Sequence, residues 1–575
     1  MTTTTAANAG GKPGWLRLLR ALGHRKTAFM ALFGFASGLP FALFLGTLYA
    51  WLTEAEVDLE TMGVFSLIGL AYSFQFLWSP LLDRVDIPFL RRLGKRKQWI
   101  APAQLLLGII LVTLSLLDPR SALGWFSLLA AIGAFASATQ DIVINAWRID
   151  VADEEATIDI LSTVTQMGFR LASLVGGALG LIIAERIGWP QTYVLMGGIM
   201  LAIGVVGLFA PDAEVDRVTS IAAGEEELRV LYAPGEIEPR IRNRALLAVG
   251  LLWCWAIVTV VVFMVRSMTA EPDARPDPTA FTARFGPLIV LATIVLPALI
   301  AAWLAKTKRE GRHVIGPQGG AVDRRNGVAD HFYRALVLPL VEFVGRMGWS
   351  LVLILALVLT YRITDSIWGT FAYPFYLGEL QYTNDEVAFA SKFFGVGAIL
   401  LGLALGGWLI TVAGRMFTLT LGAVLSAATN LLYADLAAGG GVISAVNNAT
   451  GFGWLVEQFG GTEKLARLMI TIGGENLAIG IAGAAYIAWL SSIVAKGYSA
   501  VQYALLASLT LLVGTLGRGA LGQMIEQRGY YDVFIFVTLI GIVAVVLCLA
   551  EWWRESREGR NSGVVAPDPV AVPAE

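Results

Sequence analysis

The stretch Leu67-Ile68-Gly69-Leu70-Ala71-Tyr72-Ser73-Phe74-Gln75-Phe76-Leu77-Trp78-Ser79-Pro80-Leu81-Leu82-Asp83-Arg84, followed by the basic run Arg91, Arg92, Lys95, Arg96 and Lys97, decides how this chain is read. An apolar run of membrane length is closed by an acid and a base and then by a short loop dense in positive charge. That is the pattern of a cytoplasmic turn between two spans, because cytoplasmic loops retain the excess of Lys and Arg. The rest of the chain can be oriented from this turn.

Composition agrees with a membrane protein. Of 575 residues, 56% are hydrophobic and only 15% are charged, with mean hydropathy +0.67; soluble domains carry about a quarter charged residues. The formal net charge of −2 provides no general field for nucleic acid, and positive charge is confined to particular loops. Cys254 and Cys548 lie inside apolar runs and read as small buried hydrophobes, not as a disulfide or metal pair. His24, His313 and His331 fall outside the apolar runs, which argues against an intramembrane metal or haem centre. No signal-peptide pattern precedes the first run, so that run is expected to stay as a span.

About 20 apolar residues are needed to cross the hydrocarbon core. On that measure spans are expected near 28–52, 61–82, 98–117, 122–147, 163–184 and 191–210, then near 245–266, 286–305, 346–375, 386–411, 417–436, 470–495, 500–525 and 531–553, about fourteen in all. The fold is therefore an all-α polytopic membrane protein. Basic residues cluster before the first span and after even-numbered spans, while the Thr53–Glu60 and Glu379–Glu386 loops have none, which places both termini in the cytoplasm.

The expected organisation is a cytoplasmic segment over 1–27, a six-helix bundle over 28–210, a cytoplasmic linker over 211–345, a second six-helix bundle over 346–553 and a disordered tail over 554–575. The linker carries an inserted transmembrane hairpin at about 245–305. Residues 437–468 read as a long external loop able to lie on the membrane surface. Two internal echoes support a repeated plan. Gly177-Ala178-Leu179-Gly180 with Arg186 and Gly188 recurs as Gly519-Ala520-Leu521-Gly522 with Arg528 and Gly529, and the Asp83–Lys97 loop is matched more weakly by Gly406-Gly407 to Gly414-Arg415.

Gly34-Phe35-Ala36-Ser37-Gly38-Leu39-Pro40, Trp51-Leu52, Gly63-Val64-Phe65-Ser66-Leu67 and Phe76-Leu77-Trp78-Ser79-Pro80-Leu81-Leu82-Asp83-Arg84 together resemble the muropeptide permease family of the major facilitator superfamily. So does Ser137-Ala138-Thr139-Gln140-Asp141-Ile142-Val143 with Trp147, Asp150 and Gly168-Phe169-Arg170-Leu171; the second half matches more thinly, at Tyr361-Arg362-Ile363-Thr364-Asp365, Glu475-Asn476-Leu477 and Gln502-Tyr503. The resemblance implies the major facilitator fold and proton-driven import of anhydromuropeptides, amino sugars bearing a short peptide, across a bacterial inner membrane. The protein would then be a carrier and not an enzyme, with no cofactor beyond the proton gradient and with the bilayer and the solute as partners; a monomer is expected. The chain departs from the superfamily's usual loop signature, which begins with Gly where Ser79-Pro80 stands here.

Charged groups within a span are retained where they face protein or water. Asp141, Asn145 and Arg148 lie on one helix face by their spacing. That stripe reads either as a polar binding face with Asp141 exchanging a proton, or as a helix-locking ion pair of Asp141 with Arg148 or Arg170. Arg170 could hold a peptide carboxylate through two parallel hydrogen bonds or could snorkel to the interface. Glu475 and Asp365 are the acids of the second half expected to couple protons; Glu475 is preferred because Asp365 is near Arg362. Gln75 and Gln140 could hydrogen-bond sugar and N-acetyl groups, or simply bond helix to helix; Gln502, with Lys392, could line the cavity, and Asn476 is a further substrate-binding candidate. Asp83, Arg84 and Arg96 are expected to form a gate. Competing readings are a carrier of another solute, such as a coenzyme-type anion, and a transporter-like sensor that moves nothing.

Overall fold

The structure is a computed structural model of the 575-residue chain. It describes residues 23–57, 71–72, 74–211, 236–269, 274, 276–312, 314–315, 332–366 and 371–562. The expected terminal segments 1–22 and 563–575, most of the second span (61–70) and the acidic part of the linker (212–235) lie outside the described residues.

Eleven helices among the described residues are long and apolar enough to cross a membrane, or twelve if the bent pair Ala335–Met347 and Ser350–Thr360 forms one span. This is fewer than the fourteen expected. Helices over Pro239–Ser267 and Ala283–Lys308 correspond to the expected hairpin and are counted among the eleven. Its first helix starts at Pro239, so Arg240, Arg242 and Arg244 belong to the helix and not to a polar linker. Glu236–Ile237 pairs antiparallel with Val314–Ile315 and ties the two ends of the hairpin together at its base.

The span expected at 346–375 is corrected. The chain bends by 106° between Ala335–Met347 and Ser350–Thr360, at Gly348, whose φ of +55° ends the first helix. Residues 338–345, expected as linker, belong to the helix Leu338–Met347, in which Pro339 to Gly345 are all buried.

Small residues allow the long helices to approach closely, the usual basis of membrane helix packing. A Cβ on Gly34 would stand 2.4 Å from the Thr165 carbonyl oxygen, and one on Gly402 would stand 2.3 Å from that of Leu477. These contacts join Arg25–Glu54 to Ile158–Ile187 in the first half and Asn384–Ala413 to Glu463–Ser492 in the second. Ile158–Leu174 also packs against both of those second-half helices and forms a seam between the halves.

Four turns share one backbone conformation. Gly94 (φ 101°, ψ 165°), Gly188 (86°, 159°), Gly414 (95°, 159°) and Gly529 (79°, 174°) each precede a long helix, in a region of φ/ψ space open essentially to glycine alone. Two of them are the glycines of the first echo and two lie in the second. The repeat read from sequence is thus a repeat of turn geometry.

Candidate functional site

The basic loop is divided: Arg91 and Arg92 are exposed, while Arg96 is buried. Pro80 sits at the start of the short helix Ser79–Arg84, where its missing N–H costs nothing, and this helix delivers Asp83 into the protein. Arg96 Nη2 lies 2.8 Å from Asp83 Oδ1, and Arg96 Nε lies 2.7 Å from Asp150 Oδ2. The three side chains are 2%, 1% and 5% exposed. Charges this deep are tolerable only when paired and hydrogen-bonded. Burial alone would raise the Asp83 pKa, but the adjoining Arg96 and Lys95 charges and the Val501 amide outweigh it, holding the carboxyl below its ordinary range.

The second half completes this cluster with neutral groups. Val501 N–H donates to Asp83 Oδ2 at 3.0 Å, Arg96 Nη2 donates to Ser499 Oγ at 2.7 Å, and Ser499 Oγ donates to Asp150 Oδ1 at 2.8 Å. The Arg84 guanidinium lies over the Tyr498 ring, 5.2 Å from its centroid. Further contacts extend the same closure. Lys496 Nζ donates to the Ala152 carbonyl at 3.0 Å, Arg148 Nη2 donates to Ser491 Oγ at 2.9 Å, and Arg415 meets Asp159 at 2.8 Å. A Cβ on Gly407 would stand 2.7 Å from Thr163 Cγ2, so the halves touch there in van der Waals contact. All these links lie toward the helix ends that carry the basic loop. That end of the molecule is shut.

Away from the latch, the polar side chains of the helices fall into two groups. Asp141, Asn145, Arg170, Glu475 and Asn476 keep partial exposure. Asp141 Oδ1 accepts from Ser37 Oγ at 2.5 Å, and Asn145 Nδ2 donates to the Asp141 carbonyl at 2.8 Å. In the second half Tyr433 donates to Glu475, and the Tyr376 and Tyr433 hydroxyls are 3.0 Å apart. Because Tyr433 gives its one proton to the carboxylate, Tyr376 is the donor between the two tyrosines. Asn476 Nδ2 donates to the Ile472 carbonyl at 2.8 Å. By contrast Gln75, Gln140 and Gln502 are enclosed.

The family model described as Acetyl-coenzyme A transporter 1 matches residues 28–123. The Anhydromuropeptide permease of Escherichia coli K12 is 26% identical over 534 residues, covering 92% of this chain and 80% of that protein. The AmpG 4 protein of Rickettsia felis is 25% identical over 518 residues, covering 90% and 94% respectively. Over about nine tenths of its length the chain is thus similar to proteins named as AmpG-type permeases and transporters. Its fold is similar to that of a double-tryptophan mutant of XylE, with a TM-score of 0.50 and 12% identity over 90% of this chain and 94% of that one. The apolar helices of this chain agree with the multi-pass membrane architecture that those names imply for the relatives.

Several side chains of this chain sit where sequence did not place them. Gln502 was expected to face substrate. Instead its Nε2 donates to the Pro339 carbonyl at 2.9 Å and to Glu342 Oε2 at 2.5 Å, and its Oε1 accepts the Ala495 N–H at 2.9 Å. It fastens the Leu338–Met347 helix to the second half and meets no open space in this conformation. Gln140 likewise ties helices together, donating to the Ala36 carbonyl at 2.6 Å. Gln75 is 5% exposed. Of the expected Asp141 ion pairs, the Arg148 one does not close to a salt bridge: Arg148 Nη2 donates to Ser491 and the guanidinium lies over the Tyr503 ring, 5.1 Å away, with Nε and Nη1 buried without a hydrogen-bond partner among the described residues and its charge still acting on Asp141. The Asp365 side chain lies outside the described residues; its backbone belongs to the short helix Ile363–Ser366.

Sequence reading assigned no role to Ser37, Asp150, Tyr376, Tyr433, Ser499 or the Glu342–Arg346 pair, whose Oε1–Nε separation is 2.6 Å. An i, i+4 acid–base pair in an apolar helix was the available signal for the last. Ser499 carried none.

Proposed function

We propose that this protein imports anhydromuropeptides across the bacterial inner membrane by proton symport, rocking a bundle of residues 28–210 against a bundle of residues 346–553. The linker 211–345 begins and ends on the cytoplasmic side, where both termini also lie, and its inserted hairpin at about 245–305 crosses the membrane and returns. The observation that carries the mechanism is the closure at Asp83, Arg96, Asp150 and Ser499, which shuts the end bearing the basic loop. Under the positive-inside rule that end is cytoplasmic, so in this reading the structure corresponds to a stage of the cycle closed to the cytoplasm. The substrate is suggested by the name of the Escherichia coli relative.

In this reading Arg170, Asn145 and Asn476 contact the solute, and Asp141 and Glu475 are the carboxylates available to exchange a proton; all five keep partial exposure in the closed-gate state. Asp365 remains a third candidate. Asp83 is unsuited to coupling, because its carboxyl is held ionised by Arg96 and Lys95 against the effect of burial. Arg84 and Arg96 serve the gate.

A coenzyme-type anion is the second reading, favoured by the match of residues 28–123 to the acetyl-coenzyme A transporter model. Its phosphates would call for several cations, and Arg148 is already enclosed against Ser491 and Tyr503. Uptake into proteoliposomes separates the two. Labelled anhydromuropeptide should accumulate only with an inward proton gradient, and excess acetyl-coenzyme A should not compete. Gradient-independent uptake removes the symport assignment, and uptake of the coenzyme in place of the muropeptide removes the substrate assignment.

A further inference from the structure

The hairpin presents a cleft of ≈590 Å³ near its tip, at the end away from the basic segments. Its volume lies within the range of small-molecule sites. Phe263 and Phe281 form the floor, stacked with centroids 3.9 Å apart, and Phe285 continues the stack at 5.2 Å. One wall is apolar and exposed, with Trp255 42%, Val258 52% and Val262 44% accessible. The mouth carries Arg266 and Arg284, one from each helix, and Asp277. Asp277 Oδ2 accepts the Ala280 N–H at 3.2 Å, so that carboxylate serves as a cap at the start of its helix. Two guanidiniums against one carboxylate leave the mouth with a net charge of about +1, and the guanidiniums are groups suited to phosphate and carboxylate.

We propose that this cleft binds one anionic phospholipid from the leaflet opposite the basic loop, its phosphate head between Arg266 and Arg284 and an acyl chain along Val262, Val258 and Trp255. Length supports the assignment. From Arg266 to Trp255 the helix rises about 16 Å, close to the roughly 15 Å that one leaflet contributes to the hydrocarbon core. A free phosphate would meet the arginines and leave the apolar wall uncovered, whereas a lipid covers both. The site is separate from the polar groups assigned to transport, so it stands or falls independently of the substrate.

The test uses the full chain purified in mild detergent, titrated with dioleoyl-phosphatidylglycerol or dioleoyl-phosphatidylcholine, with bound lipid counted by native mass spectrometry. The wild type should bind one phosphatidylglycerol at least tenfold more tightly than phosphatidylcholine. R266Q/R284Q should bring that ratio close to one, and R266K/R284K should restore part of it. V258W keeps both arginines and fills the cleft, and it should weaken binding of both lipids at least fivefold. Elution as a single monodisperse species is required of each variant, and V258W serves alone if the double variant fails it. The proposal is overturned by a wild type without headgroup preference, by a preference that survives R266Q/R284Q, by unaltered binding in V258W, or by millimolar inorganic phosphate displacing the lipid.

Discussion

Replacing Asp83 by Asn tests the latch most directly. The substitution keeps size and shape but removes the charge facing Arg96, and it turns one acceptor oxygen into an NH₂ group. Asp83 Oδ1 faces Arg96 at 2.8 Å and Oδ2 accepts the Val501 N–H at 3.0 Å, so whichever way the amide is turned a donor confronts a donor. Hydrogen bonds to a charged group contribute about 1.5–3 kcal/mol. A loss of about 2 kcal/mol confined to the closed state shifts the closed-to-open ratio roughly 30-fold, at 1.36 kcal/mol per factor of ten. Thr163, packed against Gly407 in the closed seam, supplies the reporter. A Thr163→Cys protein, with exposed Cys254 replaced by Ser, is labelled with a membrane-impermeant maleimide in inside-out vesicles. Labelling should be slow with Asp83 and about 30-fold faster with Asn. The depressed Asp83 pKa adds a pH condition. Its contribution is fully present above the ordinary carboxylate pKa and is lost only as pH falls through the lower folded value, so the ratio of the Asn to the Asp labelling rate should be the same at pH 5.5 and pH 7.5, the pH dependence of the thiolate itself cancelling in the ratio. Rates within twofold for Asp and Asn would refute the reasoning.

Two further expectations follow from burial. At the Glu342–Arg346 pair the glutamate is 4% exposed and the arginine 24%, so R346A strands a buried carboxylate, costing about 3–5 kcal/mol, while E342A leaves an arginine able to reach water. Thermal unfolding in detergent should rank R346A below E342A, and the reverse order would show that the pair is not held as described. Arg415 and Asp159 are 27% and 22% exposed, where screening limits an ion pair to about 1 kcal/mol or less. D159N should therefore speed Thr163→Cys labelling no more than about fivefold by that measure, and an effect as large as that of D83N would place the dominant latch here instead.

Hydropathy made most of the spans legible, because twenty apolar residues admit few other fates. The turn glycines were legible as an echo, since positive φ with extended ψ can be met only by glycine at Gly94, Gly188, Gly414 and Gly529. The start of the hairpin was misplaced by discounting Pro239 as a helix N-terminus in favour of the arginines that follow it. The bend before Ser350 was announced by Gly348 and lost in the surrounding hydropathy. For the site, local charge revealed one side of the latch only. Its other side is a hydroxyl at Ser499 and a main-chain N–H at Val501, more than 400 residues from Asp83, and neither group differs in sequence from hundreds of others. Gln502 shows the converse problem: a polar residue in a span faces either a ligand or another helix, and only tertiary packing against Pro339 and Glu342 decides which.

The way charge is divided across the latch governs how readily it can let go. Arg96 and both of its carboxylates belong to the same half of the molecule, and the opposing half contributes only uncharged donors and acceptors. When the halves part at this cluster, Arg96 keeps both of its counter-ions and water need only take the places of one hydroxyl and one amide; the ion pair that must separate is the partly exposed Arg415–Asp159 contact, where water screens the charges. A closure built this way holds firmly at rest yet yields to the modest free energy of a bound solute, which a buried salt bridge stretched between the two bodies would resist.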